Sequence, residues 1–140
     1  MVVNFRLVAR LLGPALLWFG ISALIPAAYS LFSHMRAFMP FVLCASTALG
    51  RGFFFNKIGK KISAVPSIRE LFVFTVVLWA CTVLTAALPF MLTLKDFSFA
   101  KALFESASAL STTGATVIDN LDLNPRPILL WRSMLQFIGG

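Results

Sequence analysis

The residues best placed to do chemistry are five in a row, Thr112-Thr113-Gly114-Ala115-Thr116. They offer hydroxyls, backbone carbonyls and one glycine, with no carboxylate, thiol or imidazole among them. Gly114 permits φ > 0, so neighbouring carbonyls can turn toward an axis with no side chain in the way. Carbonyls set in that manner replace the hydration shell of a cation. The threonine hydroxyls can brace such a turn. Without an acidic ligand in the loop, a weakly hydrated monovalent cation is favoured over calcium, which prefers carboxylates.

Little else in the chain suits catalysis. His34 is the one histidine and lies in a short link between two apolar runs, an interfacial or solvated position. Cys44 and Cys81 each stand alone inside an apolar run, without CxxC or metal-ligand spacing, and read as small buried residues. Five acids and no nucleophile motif leave no catalytic constellation, so neither an enzyme nor a bound cofactor is expected.

The elements that must position the loop are apolar. Of 140 residues, 59% are hydrophobic and 12% charged, and fifteen are phenylalanine. An average soluble domain carries roughly 25% charged residues. A soluble domain of this size could not bury so much apolar surface, so the solvent is lipid. The fold class expected is an all-α integral membrane protein: two N-terminal transmembrane helices, then one helix–pore-loop–helix repeat whose last helix is truncated.

The first span runs from about Leu7 to Phe32, with Pro14 and Pro26 as expected kinks. Arg6, Arg10 and the small residues Pro26-Ala27-Ala28 resemble a signal peptide, but the apolar run continues and is long enough to span. The second span covers about Ala37 to Leu49, reaching at most Phe55, with Arg51 snorkelling from its end. These make residues 1–55 a helix pair. Residues 56–67 form a basic linker, non-helical in part, marked by Gly59, Pro66 and Ser67. Ser67, with Glu70 three positions on, then opens a third span through Leu92 by a capping box. It begins the repeat, residues 68–140.

The net charge is +7, and seven of the twelve basic residues fall on one side if the spans alternate. These are Arg6, Arg10, Arg51, Lys57, Lys60, Lys61 and Arg69, which makes that side cytoplasmic, with the N-terminus inside. Asp96, Glu105, Asp119 and Asp122 fall on the opposite side. Residues 97–111 read as a short helix capped by Asp96 or Ser98, half the length needed to span. The Gly-centred turn follows at once, and then a further apolar stretch from Ile128 to Ile138, too short to cross alone. Irregular backbone survives at membrane depth only inside protein or beside a water-filled cavity, so this pattern reads as a re-entrant pore loop. The partial negative charge at the short helix's C-terminus suits a cation there.

Residues 104–140, FESASALSTTGATVIDNLDLNPRPILLWRSMLQFIGG, resemble the first pore repeat of the TrkH-type potassium uptake proteins of the Trk/Ktr/HKT superfamily. Phe104-Glu105, the loop Ser111–Thr116, Pro125-Arg126, Leu130-Trp131-Arg132, Gln136 and Gly139-Gly140 carry the resemblance. Arg69-Glu70 through Ala87-Leu88-Pro89 is similar to the outer helix before that loop, and the two earlier spans to the extra helix pair of TrkH. The resemblance implies four such repeats around one potassium path in the cytoplasmic membrane. It makes Thr112, Thr113, Gly114, Ala115 and Thr116 the ion-binding selectivity filter residues of the first repeat, with glycine at 114 pointing to potassium. It also implies a homodimer and a cytoplasmic TrkA-type nucleotide-binding regulatory subunit. On this reading the chain is an N-terminal fragment, inactive alone.

Two other readings stand beside it. A homotetrameric channel subunit would need one loop per chain, but usually carries a TVGYG-like filter that is not found here. A small membrane subunit with no pathway of its own predicts that residues 112–116 tolerate substitution. Arg132 could snorkel to the outer interface or pair with Glu105. Asp119 and Asp122 could concentrate cations at the outer mouth or simply be solvated. Trp18, Trp79 and Trp131 read as packing or interface anchors.

Overall fold

The computed structural model describes residues 3–33, 35–59, 65–119 and 123–140. His34, Lys60, Lys61, Asp122 and the middle of the basic linker lie outside the described residues. The described chain is all-helical: α1 (Phe5–Ser22), α2 (Leu24–Ser33), a 3-10 turn (Met35–Ala37), α3 (Phe38–Gly59), α4 (Ile68–Thr93), α5 (Phe99–Leu110) and α6 (Arg126–Gly139). Three stretches are long and apolar enough to cross a membrane: Phe5–Ser33, Phe38–Gly59 and Ile68–Thr93.

The first of these breaks at Ala23. Pro26 has no N–H to give the Ser22 carbonyl, which is where the ladder lapses. At Pro14, by contrast, α1 continues without interruption. Asn4 opens α1 by accepting from the Arg6 N–H at 3.2 Å.

α1 and α3 run antiparallel in very close contact. A Cβ built on Gly13 would lie 2.9 Å from the Asn56 Cα, and one on Gly59 would lie 2.5 Å from the Arg10 Cα. Gly20 and Gly52 press in the same way on Leu49 and Leu17. Small residues let helix backbones approach in lipid, where no hydrophobic drive separates protein from solvent. The pairs 10/59, 13/56, 17/52 and 20/49 step evenly along both helices and fix their register.

α3 is longer than the sequence suggested. Its 22 residues rise about 33 Å, a full span, and Asn56–Gly59 are helical rather than linker. Arg51 therefore sits inside α3, not at its end. Its Nε donates to the Thr47 carbonyl one turn back, at 3.2 Å, so it does not reach toward the nearer helix end, Gly59. Charge is costly in a span, so from sequence alone this arginine reads as a helix end.

α4 starts as expected. The Glu70 carboxylate accepts from the Ser67 N–H and hydroxyl, both at 2.7 Å, and from the Asn4 N–H at 3.2 Å. One acid thus ties the starts of α1 and α4 together. The core is centred on Trp131, fully buried among Phe19 and Phe41, with ring centroids 5.6 and 5.8 Å away. Its indole N–H donates to the Ala86 carbonyl at 3.2 Å, satisfying the polar end of a buried ring. Trp131 is a packing anchor that draws α6 against α1, α3 and α4, whereas Trp18 is exposed.

Candidate functional site

α5 is bounded by a cap at each end. The Ser98 hydroxyl accepts from the Lys101 N–H at 3.3 Å, so Ser98 rather than Asp96 starts the helix. Its twelve residues rise about 18 Å, half a bilayer. At the other end Thr112 has φ +57. The Thr113 N–H reaches the Ser108 carbonyl and the Thr112 N–H the Ala109 carbonyl, both at 3.1 Å. This is a Schellman stop, with threonine where glycine is usual. A β-branched residue in that region costs about 1–2 kcal/mol, strain typical of functional backbone.

The stop changes which carbonyls are available. Ala107, Ser108 and Ala109 at the end of α5 spend theirs on the turn itself. Those three carbonyls are therefore not offered to an ion.

Thr112, Thr113, Gly114, Ala115 and Thr116 follow as irregular backbone, all exposed on the surface of the chain. Gly114 has φ +78, the left-handed conformation its type allows without a Cβ penalty. Two of the five carbonyls are held. Gly114 O accepts from Arg132 Nη2 at 2.9 Å, and Ala115 O from the Ser108 hydroxyl at 2.6 Å. Among the described residues, the carbonyls of Thr112, Thr113 and Thr116 accept no hydrogen bond. The Thr113 hydroxyl lies 2.8 Å from that of Ser111.

Glu105 organises the far side of the loop. Its side chain is fully buried, and Arg132 on α6 pairs with it, Nε to Oε1 at 2.6 Å. The other oxygen accepts from the Thr116 hydroxyl at 3.0 Å and the Val117 N–H at 3.1 Å. Thr116 Oγ1 in turn accepts from the Ile118 N–H at 3.1 Å. One carboxylate therefore ties α5 to the end of the loop and to α6, and Arg132 reaches on to Gly114. A buried charge pair is tolerable when geometry is good and the remaining lone pairs are filled, as here. Of the two roles the sequence left open for Arg132, the structure shows pairing rather than snorkelling.

From sequence, Ser108 carries no assigned site role, and Gln136 carries only the family resemblance. Ser108 is one of many small residues in α5, and only the fold carries it to Ala115, seven positions on. Gln136 lies on α6 with its amide nitrogen 4.0 Å from where a Gly114 Cβ would be. At the far end of α6, a Cβ on Gly139 would overlap the Leu110 carbonyl, so the two helix ends touch backbone to backbone. Asp119 is exposed beside the loop.

A full span, a half-length helix, a braced irregular loop and a returning apolar helix define an all-α membrane protein built on a helix–loop–helix unit. The family model of TrkH, described as a cation transport protein, matches residues 33–140. The chain belongs to this family. It is 33% identical over 139 residues to the Trk system potassium uptake protein TrkH of Halomonas elongata, covering 99% of this chain and 29% of that protein. An uncharacterized cation transporter of Methanocaldococcus jannaschii is 30% identical, over 95% of this chain and 28% of its own length. The crystal structure of the potassium transporter TrkH from Vibrio parahaemolyticus superposes with a TM-score of 0.88 at 34% identity, over 98% of this chain and 30% of that one. The chain thus spans under a third of the length of these relatives. They are named for transport, not for an enzymatic activity.

Proposed function

We propose that the chain contributes one wall of a potassium path across the cytoplasmic membrane, with residues 112–116 as one of four selectivity-filter loops. The observation that carries this reading is the division of labour within the loop. Gly114 and Ala115 carbonyls are tied to Arg132 and Ser108, while those of Thr112, Thr113 and Thr116 have no partner among the described residues. Carbonyls left over on a held backbone are what a dehydrated monovalent cation requires. The lack of a carboxylate in the loop argues against calcium, and the relatives' names favour potassium.

The N-terminus then lies in the cytoplasm, by the excess of arginine and lysine at the start of α1 and around the α3–α4 link. The helix pair through Gly59 serves as an outer element, the link from there to Ser67 as a cytoplasmic connection and residues 68–140 as the repeat. The working form is a homodimer joined by a TrkA-type nucleotide-binding regulatory subunit.

The test is growth of a potassium-uptake-deficient strain on limiting potassium, rescued by a full-length gene carrying this segment. Gly114 replaced by a bulky or acidic residue abolishes rescue at normal protein level. Unchanged rescue overturns the filter assignment.

A further inference from the structure

Arg51 carries its charge well inside a span, away from either helix end, and meets no opposite charge among the described residues. It stands eight residues before the end of α3, about 12 Å in from Gly59, and about 20 Å from Phe38. Nε donates to the Thr47 carbonyl at 3.2 Å and Nη2 to the Thr85 hydroxyl on α4. The Thr85 hydroxyl hands its own proton to the Cys81 carbonyl at 2.6 Å, so it is a sound acceptor. Those two bonds leave three guanidinium N–H groups without a partner among the described residues. The ion pair found among those residues is Arg132–Glu105, elsewhere in the chain.

Beside Arg51 lies an open helix face. Leu43, Thr47, Gly50 and Phe54 recur at three and four spacing and are all exposed. A Cβ on Gly50 would meet nothing within 4 Å, so another backbone has room to approach there. The opposite face of α3, with Phe41, Cys44, Ala48 and Gly52, is the buried one. Arg51 rims the boundary between the two.

Charged side chains at this depth pair with one another or face a protein interior. We propose that this face of α3 docks a membrane-spanning helix of different sequence, carrying an aspartate or glutamate at mid-depth that pairs with Arg51. Three observations select this occupant. The guanidinium folds back along α3, away from the nearer helix end, so a phosphate in the nearer headgroup layer is out of reach. Among the described residues, a second copy of this segment offers no suitable acid: Glu70 sits at a helix start, Asp96 and Asp119 in loops, and Glu105 already holds Arg132. Gly50 opens the close approach that a helix needs and a fluid acyl chain does not.

Site-directed photo-crosslinking in native membranes tests this, with the full-length protein carrying a benzophenone side chain at position 43, 50 or 54. The expected adduct is one apolar peptide containing a single acidic residue. Arg51→Glu lowers its yield several-fold, and exchanging that acid for lysine restores it. Arg51→Gln lowers the yield without reversing the charge, which separates loss of pairing from a failure to fold, checked by detergent melting. Adducts only to lipid, adducts to a second copy of this segment, or a yield indifferent to Arg51→Gln would each overturn the proposal. Loss of potassium uptake in Gly114 variants is independent of this outcome, so the two readings fail separately.

Discussion

The Nε of Arg132 lies 2.6 Å from Oε1 of Glu105, joining α6 to α5 at the level of the loop. The pair also bonds Thr116, Val117 and Gly114, so α5, the loop and α6 hang on two side chains. Removing either partner strands a buried charge and releases a loop carbonyl or amide. Arg132→Leu is expected to cost about 3–5 kcal/mol of stability, as for other broken buried pairs. A lowered melting temperature in detergent, with lost potassium-over-sodium discrimination in flux assays, checks this.

Glu105→Gln is a milder case. A glutamine has one acceptor oxygen, and the structure asks for two: one toward Arg132, one toward Thr116 and Val117. It is expected to lose about 1–3 kcal/mol, the usual cost of an unsatisfied buried group. Glu105→Asp keeps the charge but not the reach. If Gln behaves like wild type in both melting and transport, the carboxylate is not the organiser described above.

Gly114→Ala isolates backbone conformation from crowding. Gln136 is 4.0 Å from the added Cβ, so space is sufficient and only φ +78 opposes the change. The expected penalty is about 1–2 kcal/mol for left-handed backbone. It shows as reduced uptake at wild-type protein level. Thr112→Gly, at φ +57, is expected to act in the other direction on stability, relieving strain at the end of α5.

Ser108→Ala deletes the hydroxyl that holds the Ala115 carbonyl. The net loss is about 1 kcal/mol. Folding is expected to survive it, and ion selectivity in purified vesicles is expected to degrade.

Gly52→Leu tests the α1–α3 seam. The added side chain starts 2.9 Å from the Leu17 backbone nitrogen, so the helices must part. Overpacking of this kind costs about 1–3 kcal/mol or more. Gly52→Ala, which adds the Cβ alone at the same point of the seam, is the smaller step for comparison. Quantitative membrane immunoblots distinguish the two.

The sequence exposed the spans, because apolar runs long enough for a bilayer are rare by chance. It also exposed the Ser67–Glu70 cap and the loop, whose Gly-centred polarity stands out between apolar helices. α3 beyond Arg51 was hidden, since a charge inside a run looks like its end until a partner such as Thr85 is seen. The left-handed Thr112 was hidden for the opposite reason: its residue type argues against the conformation it adopts. The glycine seam was invisible because Gly13 and Gly20 lie far in sequence from Gly52 and Gly59, and only the register makes them one feature. Arg132–Glu105 could be named as a candidate pair, but its choice over snorkelling needed the third dimension.

That seam has a consequence for how the protein is made. All its contacts lie between residues 10 and 59. The hairpin can therefore close while the ribosome has yet to translate any part of the loop, since chains build from the N-terminus. A docked pair then waits in the bilayer as a template, and Trp131 arrives late to lock α6 against a surface already formed by Phe19 and Phe41.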